Sequence, residues 1–189
     1  MTPAGYMAKY IYKKPEWLRA YGVADIYSVS GHMSAMFADY IKFWKHNGYW
    51  LFDTPDMIEQ LARDNGQDIS AALFFYYEVY EKQYDESART WCEFEASPKL
   101  ATSVQAPAAR HLEGYDVVSF SMGNAPECSP LSCNGLAKSL PVNLHCLLPS
   151  FDEARAQLEA GSFDNSEPGP FRIFAVYSVP KPSSLKASE

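Results

Sequence analysis

Between residues 31 and 46, apolar side chains recur at Met33, Met36, Phe37, Tyr40, Ile41 and Trp44. Steps of three and four lay one continuous stripe along a helix of 3.6 residues per turn. Ser30 is placed to cap the first turn, Asn47-Gly48 ends the pattern, and Lys42, Lys45 and His46 fall where cations complement the helix dipole. The spacing predicts a helix over 31–46. A short apolar run, Tyr49-Trp50-Leu51-Phe52, then reads as a strand. Thr54-Pro55 opens a second helix over about 55–64, with Thr54 as cap and Pro55 at the first helical position, where a missing N–H costs nothing. Met57, Ile58, Leu61 and Ala62 form its buried stripe, and Asn65-Gly66 stops it.

The period then changes. Residues 72–80, Ala-Leu-Phe-Phe-Tyr-Tyr-Glu-Val-Tyr, are aromatic on both faces, and a strand here puts Leu73, Phe75, Tyr77 and Val79 on one side. A helix over 71–82 competes, because a short aromatic run does not settle the period. The polar stretch 85–89 suggests a turn into Thr90–Phe94 and an antiparallel hairpin with 72–80. Tyr115–Phe120 is a further strand. Residues 142–147 alternate, with Val142, Leu144 and Cys146 to one face and Asn143 and His145 to the other, which predicts another. Ser150-Phe151-Asp152-Glu153 matches the capping box and opens a helix running to about Ala160. Phe171–Val179 is apolar on both faces, as expected of a central strand. The fold class is α+β: a single domain over 1–179, with a mixed or largely antiparallel sheet of about five to seven strands, about three packed helices, and a polar, mobile tail over 180–189.

Composition narrows the function classes. A chain of 189 residues with 47% hydrophobic and 21% charged residues has the make-up of an ordinary soluble globular protein, long enough to need no staples. The net charge of −7, without basic clusters, disfavours nucleic acid and anionic membrane surfaces as partners and suits a basic protein or a cationic ligand. No apolar run approaches the roughly 20 residues of a membrane-spanning helix. Four cysteines are few for a disulfide scaffold, and the start of the chain lacks signal-peptide character, so a reducing cytoplasm is expected. Nucleotide-binding, serine-hydrolase and zinc-protease signatures are missing, and no cofactor is indicated.

Unusual residues concentrate in 124–146, around Cys128, Cys133, Asn143 and His145. One reading is a thiol nucleophile, Cys133 or Cys128, with His145 as base and Asn143 orienting the imidazole. Asn134-Gly135 also resembles a helix start, which would depress the Cys133 pKa if that residue sat at a helix N-terminus. A second reading is a zinc site: Cys128 and Cys133 have four residues between them, and His145 follows. It lacks a fourth ligand, because His145 and Cys146 would point to opposite faces of a strand, and a metal is not expected. A third reading is a loop ordered by Ser129, Ser132 and Asn134, with the cysteines filling space and Cys146 in the core.

Aromatic content suggests a binding surface. Phe, Trp and Tyr make up 15% of the chain, thirteen of them tyrosine, dense over Tyr40–Trp50 and Phe74–Tyr80. The leading expectation is a binding or interaction module for a small molecule or protein partner, with homo-oligomerisation as one form. Its pocket or face would draw on Tyr76, Glu78, Arg172 and Trp50; the alternative is a Cys-dependent hydrolase or transferase. Arg172, inside an apolar strand, is expected to find a carboxylate in a structural ion pair rather than a ligand anion. Glu78 and Glu81 read as the wet edge of a strand more readily than as a carboxylate pair, and His111 reads as an exposed loop residue.

Overall fold

The aromatic run at 72–80 is a strand, paired along both edges. The computed structural model describes residues 1–30, 34–35, 49, 51–94, 104–121 and 128–182. In chain order these form β1 (Thr2–Lys13), β2 (Asp25–Ile26), β3 (Ser34–Ala35), α1 (Pro55–Asp64), β4 (Leu73–Val79), β5 (Lys82–Asp85), β6 (Thr90–Glu93), β7 (His111–Ser119), α2 (Pro130–Cys133), α3 (Phe151–Glu159) and β8 (Phe171–Val179). A 3-10 turn lies at Leu136–Lys138.

Every described strand pairing is antiparallel, and the backbone of the sheet runs β1–β4–β8–β7. Tyr6 lies opposite Tyr76, Tyr76 opposite Tyr177, and Val118 opposite Arg172. The apolar strand Phe171–Val179 is central, as its pattern requires. The free edge of β7 is covered by the segment following it, through bridges Ser119↔Cys128 and Tyr115↔Leu148. That segment in turn binds the stretch around β2: the Leu144 carbonyl accepts from the Ala24 amide (2.9 Å) and the His145 carbonyl from the Tyr27 amide (3.1 Å). Since β2 pairs with β1, backbone hydrogen bonding returns to its starting strand. Closure of this kind removes exposed edges.

The register puts Met7, Lys9, Phe75, Tyr77, Asp116, Val118, Phe174 and Val176 on one face, and all are buried. The opposite face presents Val117 and Ile173 to Ala154 and Leu158 of α3. Local signals set both longer helices. The Thr54 hydroxyl accepts from the Met57 amide at the start of α1, and the Ser150 hydroxyl accepts from the Glu153 amide (3.1 Å) at the start of α3. No helix among the described residues is long and apolar enough to cross a membrane.

Four expectations change. Of the helix expected over 31–46, only Ser34–Ala35 is described, and it pairs as a strand with Tyr10–Ile11; the remainder lies outside the described residues, as do Trp50 and tail residues 183–189. Tyr49 is a turn residue and Phe52 forms a single bridge with Tyr6. Thr90–Glu93 forms its hairpin with Lys82–Asp85 rather than with 72–80, whose edges are already taken by β1 and β8. Residues 142–147 are a turn, not a strand. The Asn143 Oδ1 accepts from the amides of His145 (2.9 Å) and Leu147 (3.1 Å), which curls the chain and leaves Cys146 at φ 61°. A side chain that captures nearby amides competes directly with a ladder.

Candidate functional site

Strand β7 carries Asp116 into the enclosed face, where burial raises its pKa against the hydrogen bonds it accepts. Its carboxylate takes the Ser129 hydroxyl (2.5 Å) and the Val29 amide (2.8 Å). Facing it from β1 is Lys9, also fully enclosed. Its ammonium donates to the carbonyls of Ser28, Val29 (2.9 Å) and Ser30 (3.2 Å). Burial pulls the Lys9 pKa down to about 7, while Asp116 acts in the opposite sense. This network fastens Ser129, the residue preceding α2, to the sheet.

The cysteines of interest flank that anchor. Cys128 is buried beside the edge of β7, and Cys133 is half-buried at the end of α2. Cys133 therefore occupies a helix C-terminus rather than an N-terminus, and what Asn134-Gly135 opens is the 3-10 turn Leu136–Lys138, with Gly135 as its N-cap. The Cys133 pKa nonetheless falls below that of an ordinary thiol, chiefly through the neighbouring Cys128 thiol, with the Ser129 amide and Ser132 hydroxyl acting in the same sense against partial burial. The neighbouring Cys133 sulfur and burial push the Cys128 pKa up, and the Cys128 thiol donates to the Asn134 Oδ1 (3.9 Å). Cys133 lines a cavity of about 430 Å³ with Trp17, Arg19, Asn134, Gly135 and Lys138. The other two cysteines are placed differently. Cys146 is buried, and its pKa is pushed up to about 12 by desolvation; the Cys92 thiol donates to the Gln83 carbonyl (3.7 Å).

His145 does not join this pair. Its Nδ1 meets Asp25 at 2.5 Å, its Nε2 lies 3.7 Å from Glu113, and its ring stacks on Tyr27 at 3.9 Å. Among the described residues no hydrogen bond links the imidazole to a thiol, and no three His, Cys, Asp or Glu side chains converge as metal ligands. Asn143 orients the backbone of its own turn, its amide donating to the Glu113 carbonyl (2.6 Å). A second cavity, of about 460 Å³, opens beside this cluster, lined in part by Tyr27, Leu73, Arg110, His111, Glu113 and Ser178. His111 belongs to β7 rather than to a loop.

Of the residues expected to form an aromatic pocket, Tyr76 and Glu78 lie together, Arg172 projects from the other face of the sheet, and Trp50 lies outside the described residues. Tyr76 is buried, and its hydroxyl donates to Glu78 (3.3 Å). Glu78 also takes Tyr177 (3.0 Å) and pairs with Arg110 (3.1 Å), whose guanidinium lies 4.9 Å from the Tyr177 ring centroid. Glu78 lies opposite Ala175, so it projects from the face opposite to Arg172. The expected carboxylate partner of Arg172 is replaced by aromatic rings. Among the described residues none forms an ion pair with it; its guanidinium sits 3.6 Å from the Phe94 centroid and donates to the Tyr80 carbonyl (2.5 Å).

Strand β1, Lys9 and Asp116 have no place in the sequence reading. The available signal was a lone charge within an apolar strand pattern, Lys9 in Tyr6–Tyr12 and Asp116 in Tyr115–Phe120. No protein-family model, curated protein or solved structure matches the chain.

Proposed function

We propose that this protein performs thiol–disulfide exchange, with Cys133 as the attacking thiolate and Cys128 as the resolving thiol. The carrying observation is the placement of Cys128 and Cys133 around the single turn of α2, with Cys128 buried and Cys133 half-exposed at the wall of a cavity. A thiolate is the reactive form, and here a neighbouring thiol, not an imidazole, favours it. Cys133 attacks one sulfur of a disulfide RSSR′, forming a mixed disulfide and releasing R′S⁻, which takes up a proton. Cys128 then loses its proton and attacks the Cys133 sulfur, closing the Cys128–Cys133 disulfide and releasing RS⁻. The dithiol is oxidised and the substrate disulfide is reduced to two thiols. Exchange needs only these two sulfurs. Hydrolysis through a thioester would need a base to activate water, and His145 is committed to Asp25 and Glu113.

The test is peptide mapping after alkylation with iodoacetamide at pH 7. Cys133 should react at least about tenfold faster than Cys92, Cys128 or Cys146, as expected of a stabilised thiolate. His145→Ala should leave that rate unchanged. With bis(2-hydroxyethyl) disulfide the wild-type protein should accumulate the Cys128–Cys133 bridge, and Cys128→Ser should stop at a mixed disulfide on Cys133. Uniformly slow alkylation with no internal bridge overturns the reading.

A second reading, a small-molecule binding module, draws on the cavity beside Tyr27 and Glu113, since ligands favour concave sites with a few convergent polar groups. Its test is native mass spectrometry of the purified protein: a retained organic mass lost on Glu113→Gln supports it, and a bare protein counts against it.

A further inference from the structure

The surface around Cys133 differs in charge from the rest of the chain. The protein carries 23 acidic and 16 basic residues, yet the cavity at Cys133 is lined by Arg19 and Lys138 and, among the described residues, by no carboxylate. Both cations are exposed, and among the described residues neither forms an ion pair. Two carboxylates touch this loop from other sides: Asp116, buried beneath it, takes the Ser129 hydroxyl (2.5 Å), and Glu167 faces the Asn134 amide (3.4 Å) and the side of Cys128. Trp17 is 53% exposed and supplies an apolar wall.

Resting on the exchange reading above, we infer that the cavity selects a low-molecular-weight disulfide bearing carboxylates, with Arg19 and Lys138 receiving the carboxylates, Trp17 covering the aliphatic part and Cys133 attacking the sulfur. Two unpaired cations at the rim of a partly enclosed site raise the local concentration of an anion and repel a cation. A dicarboxylate disulfide carries one anion on each side of its S–S bond, one each for Arg19 and Lys138 in the cavity that Cys133 lines. The step is the exchange already written: the substrate gains two electrons and leaves as two thiols, while Cys133 and Cys128 become the disulfide.

The experiment compares three alkyl disulfides on the full-length protein: 3,3′-dithiodipropionate (dianion), bis(2-hydroxyethyl) disulfide (neutral) and cystamine (dication). The rate of Cys133 modification by each is normalised to its rate with a neutral small-molecule thiol. The expected order is dianion, neutral, dication, spanning about tenfold or more, in line with steering by local charge. The spread should collapse in roughly 0.5 M salt, where screening acts over only a few ångströms. In the Arg19→Gln/Lys138→Gln double variant, with folding verified by circular dichroism, the dianion-to-neutral ratio should fall to that of the reference thiol. A flat or reversed order, with the neutral disulfide still reacting rapidly at Cys133, overturns this inference and leaves the exchange reading standing. Failure of all three to react faster at Cys133 than at Cys92 overturns both.

Discussion

Lys9 and Arg172 are both fully buried cations, and their surroundings compensate them by different means. Lys9 has three carbonyls and the facing carboxylate of Asp116. Arg172 has one carbonyl and the rings of Phe94, Tyr49 and Phe120, and among the described residues its Nε and one terminal nitrogen find no hydrogen-bond partner. A desolvated cation–π contact supplies about 2 kcal/mol, whereas removing a charge from water costs several kcal/mol. Burial accordingly lowers the Arg172 pKa to about 10. Arg172→Met keeps a long apolar stem against Phe94 and removes the desolvation term, so the variant should melt at or above the wild-type temperature. A loss of more than about 1 kcal/mol would show that the guanidinium itself is needed. Lys9→Met should behave oppositely, since it leaves the buried carbonyls of Ser28, Val29 and Ser30 without their donor and removes the cation that favours the Asp116 carboxylate. A loss of about 3–5 kcal/mol is expected in denaturant unfolding, and a neutral result would refute this coupling. Arg172 was legible as a buried charge because it interrupts an apolar strand. Its surroundings were not, because Phe94 and Phe120 are remote in sequence and no spacing rule connects them.

At the scale of elements, features set by neighbours in sequence were the readable ones. Thr54-Pro55 and Ser150–Glu153 mark the starts of α1 and α3 because a cap is a contact across three residues. Strand pairing is decided at long range, so 72–80 was legible as a strand while its partners, β1 and β8, were not. Residues 142–147 show how a local pattern misleads: alternation of apolar and polar residues arises equally when an Asn collects the amides around it. That turn is therefore the element to break. Asn143→Ala removes the acceptor for two amides and the donor to the Glu113 carbonyl, and unsatisfied buried groups cost roughly 1–3 kcal/mol each. A fall in stability of about 2–4 kcal/mol is expected, partly restored by Asn143→Asp, which retains the acceptor. An unchanged melting temperature would mean that the turn is held by something else. The adjoining strand makes the same point independently. Gly114 has φ 149°, and an added Cβ would come within 2.8 Å of the Leu147 Cβ, so Gly114→Ala should destabilise the protein through the same contact.

For the molecule as a whole, the alternating and helical periods were enough to read an α+β fold, but not its closure, which depends on β1 and on loop hydrogen bonds that carry no periodic signal. The candidate site was legible in the same partial way. A run rich in Cys, Ser, Asn and Pro drew attention to Cys128 and Cys133, whereas what lies beneath them, Asp116 and Lys9, enters from strands far along the chain. Enclosing Lys9 has a consequence for the pH dependence of folding. The unfolded chain keeps a lysine proton up to the ordinary value near 10.5, while the folded protein releases it near 7. Between these values the unfolded state binds more protons, so stability rises with pH. Cys133, whose folded pKa is also depressed, acts with the same sign up to the ordinary thiol value near 9. Asp116 acts with the opposite sign, because its raised pKa makes stability fall as pH climbs through it. Cys128 and the buried tyrosines, raised above their ordinary values, oppose the trend only where free thiols and phenols ionise, near pH 9 and 10. At about 1.4 kcal/mol per pH unit for each group in its window, Lys9 alone should raise the unfolding free energy by about 2 kcal/mol between pH 7 and 9. Urea denaturation under reducing conditions measures this directly. Cys133→Ser should retain most of the rise, and a flat or falling profile in that variant would mean that Lys9 stays protonated inside the sheet.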